Sequence, residues 1–294
     1  MPHHLLIEPF IDYGFMRRAL AACVALAIGS GPIGVLMLLR RMSLAGDALS
    51  HAVLPGAAAG FLFTGLSLWG MTAGGFVAGL VVAILAGVVS RHTALREDAS
   101  FAGFYLTSLA LGVLLVSMRG SNIDLLHILF GTILAVDAQA LCLVGGIASL
   151  STLILLAIYR PLVLECFDPG FLRSVGGRGP IYHLLFLVLV VLNLVAGFQA
   201  LGTLMAVGLM MLPAAASRFW SQRIAGMIAT SVLIALLSSY AGLLLSYRYS
   251  LPSGPAIVLT ASLCYLASIL AGRRGGVLYR LRARPYPSAT KASP

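Results

Sequence analysis

Residues 40–56 read RRMSLAGDALSHAVLPG and join two long apolar runs. Within this stretch Asp47 and His51 stand four residues apart, a spacing that puts two side chains on the same face of an α-helix. A carboxylate inside hydrocarbon costs roughly 3 kcal/mol on insertion scales, and the chain has only nine acidic residues. Because a carboxylate and an imidazole can bind one cation together, the stretch predicts a transition-metal path through a membrane.

The composition is that of an integral membrane protein. Of the 294 residues, 60% are hydrophobic and 10% are charged, whereas soluble domains are roughly one quarter charged. A hydrocarbon core about 30 Å thick needs about 20 apolar residues per helix, and most segments between charged clusters are about that long. The apolar runs do not alternate with period two, which excludes a transmembrane β-barrel. We predict an all-α, polytopic membrane protein.

The apolar runs predict about nine transmembrane helices, and eight to ten fit the pattern. They cover about 16–39, 48–66, 70–90, 99–118, 138–159, 181–199, 202–217, 224–247 and 255–272. Residues 1–15 are predicted to be an interfacial segment, 16–272 the transmembrane domain, and 273–294 a basic cytoplasmic tail. Pro32, Pro55 and Pro213 predict broken or kinked helices that face protein or a water-filled cavity, since lipid cannot replace a missing backbone hydrogen bond.

The basic residues give the orientation. With the C-terminus inside, 15 Lys and Arg residues fall on the inner side and four fall on the outer side, as the positive-inside rule requires. Arg17 and Arg18 are exceptions, because this topology puts them outside. The net charge of +10 is therefore explained by the membrane, and nucleic acid is not an expected partner.

The depth of the Asp47–His51 pair follows from helix geometry. If Arg41 marks the inner interface, Asp47 lies about 9 Å and His51 about 15 Å into the membrane. Carboxylate and imidazole suit zinc, manganese or iron, and the pair selects none of these. Two ligands do not close a site, but a symmetric dimer would supply two of each. Alternatively, Asp47 is the N-cap of the second span and His51 is a hydrogen-bonded core histidine.

Two further regions carry candidate functional residues. Asp124, His127 and Asp137 flank a short apolar run on the predicted outer side, where they either gather a cation at the entrance or form a solvated rim. Residues 165–179, which read ECFDPGFLRSVGGRG, form the longest polar stretch between spans. A short helix there would be exposed to a cytoplasmic partner, although a plain loop with an Asp-Pro turn also fits.

The stretch at 40–56 resembles the hallmark of the zinc and manganese permease family of ABC importers. Similar blocks follow as REDA at 96–99, LFGTIL at 129–134, FDP at 167–169, LGTL at 201–204, LPAAA at 212–216 and LPSGPA at 251–256. The resemblance covers about residues 15–272.

This resemblance implies a permease subunit in a bacterial cytoplasmic (inner) membrane, working as a homodimer. Its expected partners are two cytoplasmic ATP-binding subunits and an extracytoplasmic metal-binding protein. The family's pore ligands fall on Asp47 and His51. Its segment for coupling to the ATPases falls on about 165–179, within which we single out Phe167, Asp168, Pro169 and Gly176. Gly170 replaces an acidic residue that family members often have after Asp-Pro.

The predicted activity is therefore ATP-driven import of a divalent ion by alternating access, with the ion as substrate and no resident cofactor. The chain has no GxxxxGK[ST] phosphate loop, so ATP would be hydrolysed on a separate subunit. The alternatives are a membrane-embedded metalloenzyme and an ion-coupled secondary carrier. The first lacks an HExxH motif and a third ligand at usable spacing, and the second lacks another buried acidic residue in the later spans.

Overall fold

The computed structural model describes residues 8–65, 67–95, 97–118 and 136–282, and none of these residues forms a strand. A helical turn over 8–12 precedes the main helices. In chain order these are α1 (Gly14–Leu39), α2 (Ser43–Thr64), α3 (Leu68–His92), α4 (Glu97–Met118), α5 (Ala138–Phe167), α6 (Pro169–Ser174), α7 (Gly179–Leu201), α8 (Thr203–Ser217), α9 (Ile224–Tyr249), α10 (Ser253–Ala271) and α11 (Val277–Arg282).

Nine of these helices coincide with the nine predicted spans. Within the described residues, six are long and apolar enough to cross a membrane by themselves, namely α1, α3 over Leu68–Ser90, α5, α7, α9 and α10. Shorter apolar helices cover Asp98–Leu114 in α4 and the whole of α8. The prediction of a polytopic helical membrane protein is confirmed.

Two helices form the centre of the bundle. Both α1 and α7 are largely buried, with 72% of their most apolar window inside the molecule. The first packs against α5, α8 and α9, and the second packs against α3, α5 and α8. Helices α2, α3 and α4 pack closely on one another and meet the remaining helices mainly through α7 and α8, with a smaller contact between α1 and α2. The helix that carries Asp47 therefore belongs to a group attached at one side of the central pair.

Small residues allow α2 and α3 to approach closely. A Cβ atom added to Gly56 would overlap the carbonyl of Gly74, and one added to Gly74 would overlap the carbonyl of Gly56. One turn further along, a Cβ added to Gly60 would overlap the carbonyl of Gly70, and one added to Gly70 would overlap the Thr64 side chain. Such close backbone approach is the usual packing of small residues spaced four apart in membrane helices.

The prolines named above lie inside continuous helices. Pro32 is in α1, Pro55 in α2 and Pro213 in α8. Pro55 and Pro213 are buried, whereas Pro32 is half-buried. The prediction that the prolines face protein is therefore confirmed for Pro55 and Pro213.

The junction between α7 and α8 is a single residue. Gly202 has φ +89°, a left-handed conformation that side chains other than glycine rarely adopt. The 15 residues of α8 extend only about 22 Å. If Arg218, at the C-terminal end of α8, marks the inner interface, the first residue of α8 lies within the hydrocarbon region. This short helix brings Thr203 beside α2.

Candidate metal-ion site and coupling segment

The chain turns sharply between α1 and α2. Met42 N–H donates to the carbonyl of Met37 at 3.0 Å, and Arg41 N–H donates to the carbonyl of Leu38 at 3.1 Å. Arg41, at φ +60°, occupies the left-handed position of this Schellman-type helix end. The turn sets the direction in which α2 enters the membrane, and with it the position of the two candidate ligands.

Asp47 and His51 lie side by side on α2. The helix begins at Ser43, and its N-cap residue Met42 makes no side-chain cap. Asp47 is thus the fifth residue of the helix, and its interpretation as the N-cap is wrong. His51 Nε2 lies 3.8 Å from Asp47 Oδ1, which is too long for a hydrogen bond. Both side chains therefore keep a metal-binding atom on the same face.

The two side chains differ in exposure. The Asp47 side chain is 62% exposed and the His51 side chain 29%. The His51 ring lies 5.7 Å from the ring of Tyr105 on α4, and its Nδ1 is buried without a hydrogen-bond partner among the described residues. Ser50 Oγ donates to the Asp47 carbonyl at 2.7 Å, so this hydroxyl is engaged with the helix backbone.

The pair opens into a cavity of about 230 Å³ between three helices. Its lining consists of Asp47, Ser50 and His51 from α2, Thr203, Leu204, Val207 and Gly208 from α8, and Val258 from α10. Thr203 is a lining residue that the sequence interpretation did not assign to the ion path. The sequence feature that could have indicated Thr203 is the glycine before it, Gly202, which interrupts an apolar run.

Asp47 and His51 do not form a complete site within the described part of one chain. Those residues contain no group of three or more His, Cys, Asp or Glu side chains able to hold a metal ion. Since transition metals in proteins usually have at least three protein ligands, the pair supplies only part of a coordination shell. Because the Asp47 side chain is largely exposed, a further metal ligand can approach the pair from that side.

The predicted entrance residues have different outcomes. Asp124 and His127 lie outside the described residues. Asp137 is the N-cap of α5, where its Oδ1 accepts a hydrogen bond from Ala140 N–H at 2.7 Å. This carboxylate has a structural role at a helix start, and any contribution to cation capture stays a prediction.

The coupling segment contains the short helix expected from its sequence. Helix α5 ends at Phe167, and α6 begins at Pro169. Asp168 separates them, and its Oδ1 accepts a hydrogen bond from Phe171 N–H at 2.8 Å. The segment turns away after α6 at Gly176, which has φ +78°.

This segment exposes apolar side chains. Phe167, Phe171 and Val175 are 64%, 53% and 68% exposed. Phe167 ends α5, Phe171 lies in α6 and Val175 directly follows it, whereas Leu172 of α6 is buried. An exposed apolar strip next to a membrane helix end is typical of a protein interaction surface.

Arg40 connects the end of α1 to both sides of the coupling segment. Its guanidinium donates to Cys166 Sγ at 3.0 Å and to His183 Nδ1 at 2.8 Å. It also lies over the Phe186 ring, with Cζ 4.9 Å from the ring centroid. The residue next to the α1–α2 turn thus contacts the end of α5 and the start of α7.

Comparisons with known proteins show which proteins the chain is similar to. The sequence profile of the ABC 3 transport family matches residues 12–272. The manganese import system permease protein ScaB of Streptococcus parasanguinis is 36% identical over 267 residues, covering 90% of this chain and 94% of that protein. The manganese transport system membrane protein MntC of Halalkalibacterium halodurans is 34% identical over 274 residues, covering 93% and 92%.

A solved structure extends the similarity to three dimensions. PsaBC from Streptococcus pneumoniae, determined in complex with Fab, matches with a TM-score of 0.83 and 31% identity, covering 96% of this chain and 100% of that chain.

Proposed function

The chain belongs to the ABC 3 transport family, and from this premise we propose that Asp47 and His51 bind the transported ion in an ATP-driven manganese importer. The chain is a multi-pass membrane permease subunit and not an enzyme. By analogy with its bacterial relatives, its place is the cytoplasmic membrane of a bacterium. The observation that carries the proposal is the 3.8 Å separation of His51 Nε2 and Asp47 Oδ1 at one cavity.

The separation of the two atoms suits a shared ion. Bonds from a divalent transition metal to nitrogen or oxygen are about 2.0–2.2 Å long. Two such bonds reach at most about 4.4 Å between donor atoms, so one ion fits between His51 and Asp47 without a change of backbone. Carboxylate and imidazole are both ordinary ligands of first-row divalent ions.

A second copy of the chain would complete the coordination. Asp47 is mostly exposed on its own chain, and a two-fold axis near it would bring two carboxylates and two imidazoles together. This arrangement supports a path along the dimer axis.

Manganese is the favoured substrate because the similar permeases ScaB and MntC are named for manganese import and transport. Among first-row divalent ions manganese binds a given site weakly and zinc binds it much more tightly. A transport site must release its ion as well as capture it. A site with few protein ligands therefore suits manganese, and zinc is expected to compete for it.

Transport also requires partner subunits. In the proposed cycle, ATP-binding subunits dock on the strip formed by Phe167, Phe171 and Val175, and an extracytoplasmic metal-binding protein delivers the ion. Movement of the docked subunits would open the Asp47–His51 site to one side of the membrane and then to the other. The contacts of Arg40 with Cys166 and His183 provide a physical link between that strip and α2.

The proposal is tested by manganese uptake in vesicles or cells that contain the partner subunits. Asp47→Asn and His51→Ala should each reduce uptake at least about ten-fold, since loss of supporting contacts alone often costs that much in metal sites. Added zinc should inhibit uptake by the unaltered protein.

Matched substitutions outside the cavity serve as controls. Asp12→Asn and His92→Ala remove the same functional groups from exposed positions and should transport normally. Uptake that stays at the wild-type rate in both Asp47→Asn and His51→Ala, at equal amounts of folded protein, would refute the assignment of the site.

A further inference from the structure

A second cavity opens at the end of the molecule that carries most of its arginines. It has a volume of about 1040 Å³. Its lining consists of Leu39, Phe167, Arg218, Phe219, Ser221, Gln222, Ile224, Met227, Arg273, Arg274, Gly275 and Tyr279. We call it the arginine cleft. It shares no residue with the cavity at Asp47 and His51.

The arginine cleft carries a concentrated positive charge. Arg218, Arg273 and Arg274 line it, and its lining contains no acidic residue. None of these three guanidinium groups forms an ion pair with a carboxylate among the described side chains. Three guanidinium groups around one open cavity favour an anion with several acceptor oxygens, such as a phosphate group.

The walls of the cleft are held together by contacts between distant segments. Arg274 N–H donates to the carbonyl of Phe219 at 3.0 Å. The neighbouring Trp220 donates from Nε1 to Ser268 Oγ at 2.9 Å. These bonds tie the α8–α9 turn to the end of α10, so the arginines of the two segments are fixed around a common space.

The other side of the cleft is apolar. Leu39, Ile224 and Met227 come from the ends of the membrane helices α1 and α9. The cleft is therefore at the level where a membrane helix meets the lipid headgroups. An occupant has to satisfy arginine at one wall and hydrocarbon at the other, which is the character of a phospholipid.

Helix α11 extends this apolar surface. Val277, Leu278 and Tyr279 are 45%, 48% and 59% exposed, and Tyr279 also lines the cleft. Exposed apolar and aromatic residues beside arginines are typical of a segment lying in the membrane interface. An acidic protein surface would match the arginines but not the exposed apolar residues of α11.

We propose that the arginine cleft binds the phosphate of an anionic phospholipid from the inner leaflet, with the lipid chains running over Ile224 and α11. Basic pockets between membrane helices on the cytoplasmic side recognise such headgroups. With three arginines involved, preference over a zwitterionic lipid should be on the order of ten- to a hundred-fold. The bound lipid lies beside Phe167, at the edge of the coupling segment.

Trp220 provides a local reporter for the experiment. The chain has two tryptophans, Trp69 and Trp220. In the variant Trp69→Phe, Trp220 is the single fluorescent tryptophan, and its neighbours Phe219 and Ser221 line the cleft. The full chain is reconstituted in phosphatidylcholine vesicles that contain increasing amounts of phosphatidylglycerol with brominated chains. We expect strong quenching at low mole fractions of brominated phosphatidylglycerol and weaker quenching by brominated phosphatidylcholine.

Two matched triple variants locate the effect. Arg218→Gln, Arg273→Gln and Arg274→Gln together should lower the preference for phosphatidylglycerol at least about five-fold. Arg17→Gln, Arg18→Gln and Arg248→Gln remove the same charge from exposed positions at the other end of the bundle and should leave the preference unchanged. If the triple variant of the cleft does not fold, the single variant Arg273→Gln is used in its place, and we expect an intermediate loss of preference.

Three results would overturn the proposal. One is equal quenching by the two brominated lipids. A second is relief of the quenching by millimolar pyrophosphate, which would assign the cleft to a soluble phosphate. The third is an unchanged lipid preference in the cleft variant together with lost copurification of the ATP-binding subunits, which would assign the cleft to the protein partner.

Discussion

Arg40 links the turn before α2, the helix that carries Asp47 and His51, to the end of α5 and the start of α7. It is the C-cap residue of α1, at the turn into α2. Its guanidinium contacts Cys166, His183 and Phe186, which are distant in the chain. One half-buried side chain therefore bridges three helix ends. Arginine is suited to this position because its planar group donates in several directions and also stacks on an aromatic ring.

Replacing Arg40 should weaken this junction. Hydrogen bonds from a charged donor contribute about 1.5–3 kcal/mol each. Methionine keeps the apolar part of the arginine side chain but not these bonds, so Arg40→Met should destabilise the protein by about 2–3 kcal/mol. Thermal unfolding in detergent measures the change. Arg41→Met alters an exposed neighbour and is the control. Equal unfolding temperatures for the two variants would mean that the Arg40 contacts do not hold the helix ends together.

At the scale of elements, the α5–α6 corner is the part of the molecule that we propose binds the ATP-binding subunits. At the start of α6, Asp168 Oδ1 accepts a hydrogen bond from Phe171 N–H. After α6, Gly176 has a left-handed backbone conformation. The corner is thereby held in a shape that keeps Phe167, Phe171 and Val175 outside the core. A capped short helix with an exposed apolar side fits a groove on a partner better than it fits water.

Substitution of Phe171 should affect assembly and leave folding intact. Its side chain is 53% exposed, so Phe171→Ser should change the stability of the isolated chain by less than about 1 kcal/mol. Copurification with the ATP-binding subunits should fall several-fold, because a buried aromatic side chain is a common anchor of interfaces.

Leu95→Ser is the matched control for this loss. Leu95 is 54% exposed and also falls on the predicted inner side, but it lies outside the coupling segment. If Leu95→Ser reduced copurification as much as Phe171→Ser, the docking surface would have to be placed elsewhere.

For the whole molecule, the open side of the Asp47–His51 pair points to a dimer. Leu44 is 66% exposed and lies two turns before His51 on nearly the same side of α2. An isologous two-fold interface brings identical residues near its axis together. The face of α2 that carries Leu44, Asp47 and His51 is the one we expect at that axis.

Cysteine cross-linking tests the position of the axis. With the four native cysteines replaced by alanine, Leu44→Cys should form a covalent dimer in the membrane on mild oxidation. Leu156→Cys introduces the same group at a position of α5 that is 69% exposed, and it should stay monomeric on a denaturing gel. Cross-linking of Leu156→Cys but not of Leu44→Cys would put the axis on the other side of the molecule.

Local properties of the sequence account for what was predicted correctly. Apolar runs of about 20 residues give membrane helices because the hydrocarbon core has a fixed thickness. The four-residue spacing of Asp47 and His51 gives a shared face because the helix repeats every 3.6 residues. The polar stretch at 165–179 contains the short helix that was one of two alternatives there, and the Asp-Pro pair, read for the other alternative as a turn, is found at the start of that helix. Each of these features depends on residues close together in the chain.

Packing between distant helices accounts for what was not predicted. The cavity beside Asp47 includes Thr203 because α8 begins there, directly after Gly202 in its left-handed conformation. Arg40 meets His183 across 143 positions, and the arginine cleft joins residues of the α8–α9 and α10–α11 connections. No local pattern in the sequence specifies these pairs.

The sequence by itself determined that this protein is a helical membrane permease with a carboxylate and an imidazole on one helical face, because membrane thickness and helical periodicity are encoded by neighbouring residues. Only the tertiary structure decided what surrounds that face, what Arg40 holds and where three arginines converge, because these depend on how closely remote helices approach. That approach is set by the fit of small and large side chains across their interfaces.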